Sequence, residues 1–374
     1  MIGNDDSHVE YMARAISLAK QGLYTTDPNP RVGCVIVKNG RIVGEGFHLK
    51  AGEGHAEVNA LAQAGQQAKG ATAYVTLEPC SHFGRTAPCS DGLIKAGVSK
   101  VVCAMQDPNP QVSGRGFIKL ENAGVQVVLG VLEQEARALN PGFIKRMETG
   151  MPFVRLKMAA SLDGRTAMAN GESQWITGPA ARSDVQKLRA RSSAVVTGIE
   201  SILQDDSSLT VRSKELGLEA SLADQIAQRQ PLRVVLDSQG RIPKSAKVLQ
   251  QAGDTLVVVS HGVQIPFPVE TLALNKGLKG LDLTELLKEL ALKNCNEVLI
   301  ETGATLAGQF VDQELVDEMV LYMAPCFMGS DARPMLNMPL QKMADKKLVK
   351  VIDMRMVGSD MRLTLSFNSN LAEV

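Results

Sequence analysis

His55-Ala56-Glu57 is followed by Pro79-Cys80 and, after eight intervening residues, by Cys89. One imidazole and two thiolates form a three-ligand zinc set that leaves the fourth tetrahedral position to water. Zinc lowers the pKa of such a water towards neutrality. Glu57 stands two residues after His55, near the start of the same predicted helix. It can face the open position and carry protons without binding the metal. Cys80 and Cys89 are expected at the mouth of a second helix, where free amides and the helix dipole favour thiolate. A closed structural site with His82 as fourth ligand competes with this reading, but it leaves Glu57 without a purpose. Cys34, Cys103, Cys295 and Cys326 read as small buried hydrophobes.

A second constellation lies further along the chain. Neither G-x-G-x-x-G nor a phosphate-loop lysine motif occurs, and Gly44-Glu45-Gly46 and Gly114-Arg115-Gly116 both lack the third glycine. Instead, Glu297-Val298-Leu299-Ile300-Glu301-Thr302-Gly303-Ala304-Thr305-Leu306-Ala307-Gly308 reads as strand, small-residue turn and helix start, whose free amides suit a phosphate. Met158-Ala159-Ala160-Ser161-Leu162-Asp163-Gly164-Arg165 ends a strand in a turn. Gly171-Glu172-Ser173-Gln174-Trp175-Ile176-Thr177 holds the only tryptophan. Stacking on a planar ring and a place at the core edge both fit Trp175. Arg189, Asp205-Asp206 and Leu209-Thr210-Val211-Arg212 follow. Two arginines and a serine suit a phosphomonoester; Arg189 taken singly also fits a solvated helix face.

Alternating elements must carry both sets. In the first part, period and turn signals predict helices over 6–21, 55–68, 116–122 and 132–139, with a short one after Ala87. Strands are expected over 32–38, 41–48, 71–77, 100–104 and 125–129, the first two joined at Asn39-Gly40. The first helix should bury Val9, Met12, Ala13, Ile16 and Ala19. The order implies a sheet with helices on both faces. Asn140-Pro141-Gly142 and Thr149-Gly150-Met151-Pro152 break the pattern, and a linker is expected between them. Beyond it, strands are expected over 153–160, 194–197, 232–237, 255–259, 297–301, 318–322 and 362–367. Helices are expected over 180–191, 283–292 and 304–313. Domains of 1–146 and 152–374 follow, in line with a chain of 374 residues.

The composition excludes several classes. Hydrophobic residues make up 44% and charged residues 21%, the balance of a globular protein and not of a disordered one. Lys plus Arg and Asp plus Glu both number 40, which argues against nucleic acid as a partner. No apolar run is long enough for a membrane span. The acidic start, Asn4-Asp5-Asp6, is unlike a secretion signal. Six cysteines are too sparse for a disulfide scaffold, so a cytoplasmic setting is expected.

The His-x-Glu and Pro-Cys elements are those of zinc deaminases, although the usual Cys-x-x-Cys spacing is absent and Phe83 takes the place of the second cysteine. The longer loop reads Glu78-Pro79-Cys80-Ser81-His82-Phe83-Gly84-Arg85-Thr86-Ala87-Pro88-Cys89. With Asn29-Pro30-Arg31-Val32-Gly33 and His55-Ala56-Glu57-Val58-Asn59-Ala60-Leu61, it resembles the deaminase half of the bifunctional deaminase–reductases of riboflavin biosynthesis. The segments of the second constellation resemble the reductase half, in the same domain order. The resemblance implies a cytidine-deaminase-like α/β/α domain followed by a dihydrofolate-reductase-like α/β domain, with Zn2+ and NADPH as cofactors. It implies a diaminopyrimidinone substrate bearing a phosphoribosylamino group. The 2-amino group leaves as ammonia, and hydride from NADPH then opens the ribosyl group to ribityl.

Carried over by position, Asn29 and His48 belong to the base pocket, with His82 and Arg85 near the substrate's polar tail. Taken alone, Asn29 also fits a turn between two prolines, and Arg85 a solvated loop cation. Ser173, Arg189, Leu209, Arg212 and Glu301 are implied at the reductase substrate. Ala159, Trp175, Ser201, Asp205, Ser238, Gly303, Ala304, Thr305, Leu306, Ala307, Gly308 and Gln309 are implied at NADPH. Asp205 is the candidate for proton handling, with holding a ribose as the alternative role. No group for the 2′-phosphate emerges. A homo-oligomer binding a small molecule, without nucleic acid or membrane, is expected. The competing functions are a free-base or tRNA deaminase with an unrelated C-terminal domain, and a zinc-stabilised binding module.

Overall fold

Asn39 and Gly40 take φ of 50° and 72° and close the hairpin their sequence predicts, because a two-residue turn between twisted strands needs positive φ. The computed structural model describes residues 6–81, 87–277 and 280–367. The chain divides into units Met1–Met151 and Pro152–Val374.

In the first unit, α1 (Asp6–Ala19) precedes β1 (Gly33–Lys38) and β2 (Arg41–Phe47). Then come α2 (Ala56–Ala64), β3 (Thr72–Val75), α3 (Cys89–Lys95), β4 (Lys100–Cys103), α4 (Arg115–Asn122), β5 (Gln126–Leu129), α5 (Glu133–Leu139) and α6 (Pro141–Thr149). The sheet order is β2-β1-β3-β4-β5. β1 is antiparallel to both neighbours, and β3, β4 and β5 run parallel. Side chains of β1 alternate between two cores. Val35 and Val37 join α1, α5 and α6, while Cys34 and Ile36 join α2, α3 and α4. A sheet apolar on both faces needs helices on both, which gives the α/β/α layering. On α1 the buried stripe is Met12, Ala15, Ile16 and Ala19. Ala13, expected on that stripe, is exposed, being a full 100° step from Met12 around the helix.

Residues 141–149, expected as a linker, form α6. Pro141 sits in its first turn, where a missing N–H costs nothing, and Phe143 and Ile144 are buried in the first core. Gly150, at φ 70°, ends the helix.

Two glycines press α2 onto β2. A Cβ on Gly44 would stand 2.2 Å from the Ala60 carbonyl, and one on Gly46 2.4 Å from that of Ala56. Gly44-Glu45-Gly46 is therefore a packing device, and it fixes the helix start that follows His55.

The second unit contains β6 (Phe153–Ser161), β7 (Arg165–Ala167), α7 (Pro179–Arg191), β8 (Ala194–Gly198), α8 (Ile199–Asp205), α9 (Ala220–Ala227), β9 (Leu232–Leu236), α10 (Lys247–Gln250) and β10 (Thr255–Ser260). It continues through β11 (Glu270–Leu274), β12 (Lys276–Gly277), β13 (Gly280–Leu281), α11 (Leu283–Leu292), β14 (Glu297–Glu301), α12 (Ala304–Asp312), β15 (Glu318–Ala324), β16 (Arg333–Pro334), β17 (Lys350–Val357) and β18 (Asp360–Ser366). The main sheet runs β11-β10-β9-β8-β14-β6-β15-β18-β17. It is parallel as far as β15, and β18 and β17 add an antiparallel edge. The strands β7, β11, β12, β13, β16 and β17 and the helices α8, α9 and α10 are additions to the sequence expectation. α8 starts directly after β8 with Gly198 as its N-cap, so no spacer announces it. Arg155 on β6 is 1% exposed, held by Glu297 at 2.9 Å and by Glu318. Only the loss of both carboxylates would strand the buried Arg155 charge.

Candidate active sites

The first site lies where α2 and α3 begin. His55 is the N-cap of α2 and Cys89 the first residue of α3. His55 Nδ1 stands 3.2 Å from Cys89 Sγ and 3.7 Å from Cys80 Sγ, and the three ligand atoms lie within 4.8 Å of one another. Tetrahedral ligands at zinc distances stand about 3.5–3.8 Å apart, so this donor set fits the ion in number, type and spacing. The Cys89 N–H donates to Cys80 Sγ at 3.3 Å. Hydrogen bonding from Cys89, ahead of that from His55, draws the Cys80 thiol well below the usual thiol range. Hydrogen bonding to Cys80, then burial, pushes Cys89 the other way.

Glu57 is 3% exposed in the first turn of α2. Burial, with the Cys80 charge adding, raises its carboxyl to about 7. A carboxyl balanced near neutrality can both take and give a proton.

His48 borders this centre, its ring 5.3 Å from that of His55 and nearly perpendicular to it. His48 Nδ1 is 3.1 Å from the Gly54 carbonyl, and Nε2 is 3.1 Å from Asn29 Nδ2. Nδ1–H therefore donates to the carbonyl and Nε2 accepts from the amide, which assigns a neutral tautomer. Burial lowers the His48 pKa and favours the same form. Asn29 and His48 thus come together beside the metal ligands. His82 and Arg85 lie outside the described residues.

The residue given no role in the sequence is Glu78. It is 3% exposed and accepts from the N–H groups of Asp107 at 3.2 Å and of Gly114 and Gly116 at 2.9 Å each. These bonds tie the strand end before Cys80 to the turn that opens α4. A Cβ on Gly116 would meet the Pro79 carbonyl at 2.2 Å, so Gly114-Arg115-Gly116, like the earlier glycine pair, serves packing. The available signal was an acidic residue at the end of an apolar strand, immediately before Pro-Cys.

In the second unit a cleft of about 1310 Å³ opens at the carboxyl ends of β6, β8, β9 and β14, the side of a parallel sheet where ligands bind. Its walls include Ala159, Ser173, Trp175, Arg189, Ser201, Asp205, Leu209, Arg212, Ser238, Glu301, the Gly303–Leu306 turn and Gln309. Ala307 and Gly308, expected with them, are buried on the other side of α12. A Cβ on Gly308 would meet the Asn337 carbonyl at 2.2 Å. Trp175 is 69% exposed and so is no core residue; the Arg182 guanidinium lies 4.6 Å from its ring centre.

The two arginines differ. Arg189 is engaged by Glu301 in a bidentate pair of 2.6 and 2.9 Å, and its remaining arm donates to the Thr210 carbonyl at 3.1 Å. Burial acts to raise the Glu301 carboxyl, but the Arg189 charge and hydrogen bonds outweigh it and lower the pKa. Arg212 pairs with Glu215 at 2.6 and 2.7 Å on a half-exposed surface, where a bound anion can compete. Lys157 also lines the cleft; burial lowers its pKa, while Glu301 acts against the shift. The sequence reading passed it over because it sits inside an apolar strand.

The family model for the RibD C-terminal domain matches residues 152–362. That for the cytidine and deoxycytidylate deaminase zinc-binding region matches residues 5–105. The riboflavin biosynthesis protein RibD of Escherichia coli is 53% identical over 359 residues, covering 95% of this chain and 98% of that protein. The protein of the same name from Haemophilus influenzae is 50% identical over 367 residues, with coverage of 95% and 96%. Among solved structures, Acinetobacter baumannii RibD superposes with a TM-score of 0.89 at 48% identity, covering 96% of this chain and 99% of that one. The diaminohydroxyphosphoribosylaminopyrimidine deaminase/5-amino-6-(5-phosphoribosylamino)uracil reductase of Thermotoga maritima gives 0.83 at 34%, with the same coverage.

Proposed function

The chain belongs to the family of bifunctional riboflavin-biosynthesis deaminase–reductases, and on that premise we propose which of its residues carry each reaction. It is an enzyme with a zinc-dependent deaminase half and an NADPH-dependent reductase half, acting on a small pyrimidine. The observation that carries the first assignment is the cluster of His55, Cys80 and Cys89 with Glu57 buried beside it.

His55, Cys80 and Cys89 hold the zinc. When bound, zinc supplies a water acidic enough to attack the ring carbon near neutral pH. Glu57 takes the proton released as the carbon–oxygen bond forms and delivers it to the departing amino nitrogen. Asn29 and His48 hold the base, and Glu78 keeps the Cys80 loop in register. His82 and Arg85 remain assigned to the substrate tail by resemblance. The substrate is the 2,5-diamino-6-(5-phosphoribosylamino)pyrimidinone, and the product is the corresponding uracil. Ammonia release on that compound tests the reading; none from zinc-loaded protein would reject it.

NADPH, when bound in the cleft, would supply hydride for the ribosyl C1′. The amides at the start of α12, with Ala159, Trp175, Ser201 and Ser238, line its path. Ser173, Leu209 and Arg212 take the substrate. Arg189 and Glu301 work as one pair, so Arg189 positions Glu301 and does not clamp the phosphate directly. Asp205 manages the proton.

Kinetics separate these roles. Arg212→Ala should raise KM about tenfold with kcat near wild type, since a phosphate contact is made in ground and transition states alike. Arg189→Ala should be worse, costing about 3 kcal/mol of stability because Glu301 is left buried and unpaired. Asp205→Asn should lower kcat. An unchanged kcat, where hydride transfer limits turnover, would pass the proton role to Glu301, the other assigned carboxylate on the cleft.

The open edge strand β17 supports a homo-oligomer. Val351, Ile352, Met354 and Met356 are 50–65% exposed, although an edge strand is normally kept short or polar. An antiparallel copy centred on Met354 would set Asp353 opposite Arg355 and Ile352 opposite Met356. Sedimentation should give a multiple of 40.1 kDa, and Met354→Lys should yield the monomer. A wild-type monomer would reject the assembly. A cytoplasmic setting is supported by six free cysteines. No helix among the described residues is long and apolar enough to cross a membrane.

A further inference from the structure

The cofactor cleft has an annex. A hollow of about 490 Å³ adjoins it at Ser238 and Gly280, which border both spaces. Its other described walls are Gln239, Ser260, His261, Val263, Lys276 and Gly277. It lies at the carboxyl ends of β9 and β10, on the same side of the sheet as the cleft. The Ser260 N–H donates to the Ser238 carbonyl at 3.3 Å, and the Val263 N–H to the Ser260 carbonyl at 3.1 Å. These bonds set two hydroxyl-bearing turns side by side and hold His261 at the rim. Lys276 reaches the hollow from β12.

The chemistry of this lining is one-sided. Ser238, Gln239, Ser260, His261 and Lys276 all offer hydrogen-bond donors, and no carboxylate is among the described walls. Asp237 is adjacent in sequence but fully buried, and its Oδ2 accepts from the Ile242 N–H at 2.8 Å. Sites that select NADH place a carboxylate on the ribose 2′- and 3′-hydroxyls. A phosphomonoester carries up to two negative charges and three strong acceptor oxygens, and the donors here match it.

We propose that the hollow walled by Ser260, His261 and Lys276 receives the 2′-phosphate of NADPH and is where the enzyme discriminates against NADH. The proposal rests on the cleft being the NADPH site.

Calorimetric titration of the whole chain with NADPH and with NADH tests it without turnover. Lys276 and His261 are exposed, so their substitution leaves the core intact. Wild type should prefer NADPH. Lys276→Met and His261→Ala should each weaken NADPH, and together weaken it by about tenfold or more, leaving NADH within about twofold. Adenosine 2′,5′-bisphosphate should compete better than adenosine 5′-monophosphate with wild type, and should lose that advantage with the double variant. Unchanged NADPH binding, or equal weakening of both cofactors, would overturn the proposal. So would a wild type that binds the two cofactors alike. If wild type binds neither, the cleft is not the cofactor site, and the proposal falls with that reading.

Discussion

Glu57→Gln protein should retain its zinc and lose deamination by about three orders of magnitude. The amide keeps the size of the carboxylate in a site where Glu57 is 3% exposed, so α2 and the His55 N-cap should stay in place. What it cannot do is exchange a proton. The native carboxyl, raised by burial to about 7, is suited to both halves of that exchange, which is why the loss should fall on kcat and not on KM. NADPH oxidation on the preformed uracil intermediate should be unchanged, because that chemistry is assigned to the cleft of the second unit. Ammonia release with parallel zinc analysis decides the matter. A glutamine variant with normal zinc and normal turnover would remove Glu57 from the mechanism.

Stripping the metal should abolish deamination altogether and spare reduction. Among the described residues, the only group of three or more His, Cys, Asp or Glu side chains placed to share an ion is His55, Cys80 and Cys89, and water is too weak a nucleophile at neutral pH without one. The first unit should remain folded. Its two cores, one around Val35, Val37, Met12 and Phe143 and one around Cys34, Ile36, Ala60 and Leu93, contain no metal ligand. Chelation followed by elemental analysis, circular dichroism and both activity assays provides the measurement. Restored ammonia release on adding zinc alone is the expected rescue. Full deaminase activity in protein shown to be metal-free would refute the assignment.

The metal site was legible in the sequence because its chemistry is local. His55 and Glu57 are two positions apart, and Cys80 and Cys89 bracket one loop. Few folds use that combination of residue types except around an ion with an open position. Helices and strands with clear period were legible for a similar reason, since each must bury one face. Residues 141–149 misled because proline and glycine break a helix in its interior but start one at its first turn. β17 carries the alternation Ile352-Asp353-Met354-Arg355-Met356, a strand signal that was open to reading; what the sequence could not show is that the fold leaves this apolar set exposed.

The remainder depended on partners distant in the chain. Arg189, taken singly, reads as a phosphate ligand or a solvated helix cation, and its bidentate pair with Glu301, 112 positions on, is visible only in the fold. Glu78 acquires a purpose only when the amides of Asp107, Gly114 and Gly116 converge on it. Ser260, His261 and Lys276 become a candidate subsite only because the parallel pairing of β9 and β10 sets Ser260 and His261 beside Ser238, and β12 brings Lys276 to the same hollow. Residue type and spacing determine which groups can bind a metal or carry a proton. Which donor meets which acceptor, and which charge is left to a ligand, is decided by packing, since a buried polar group takes the partner that the tertiary fold brings to it.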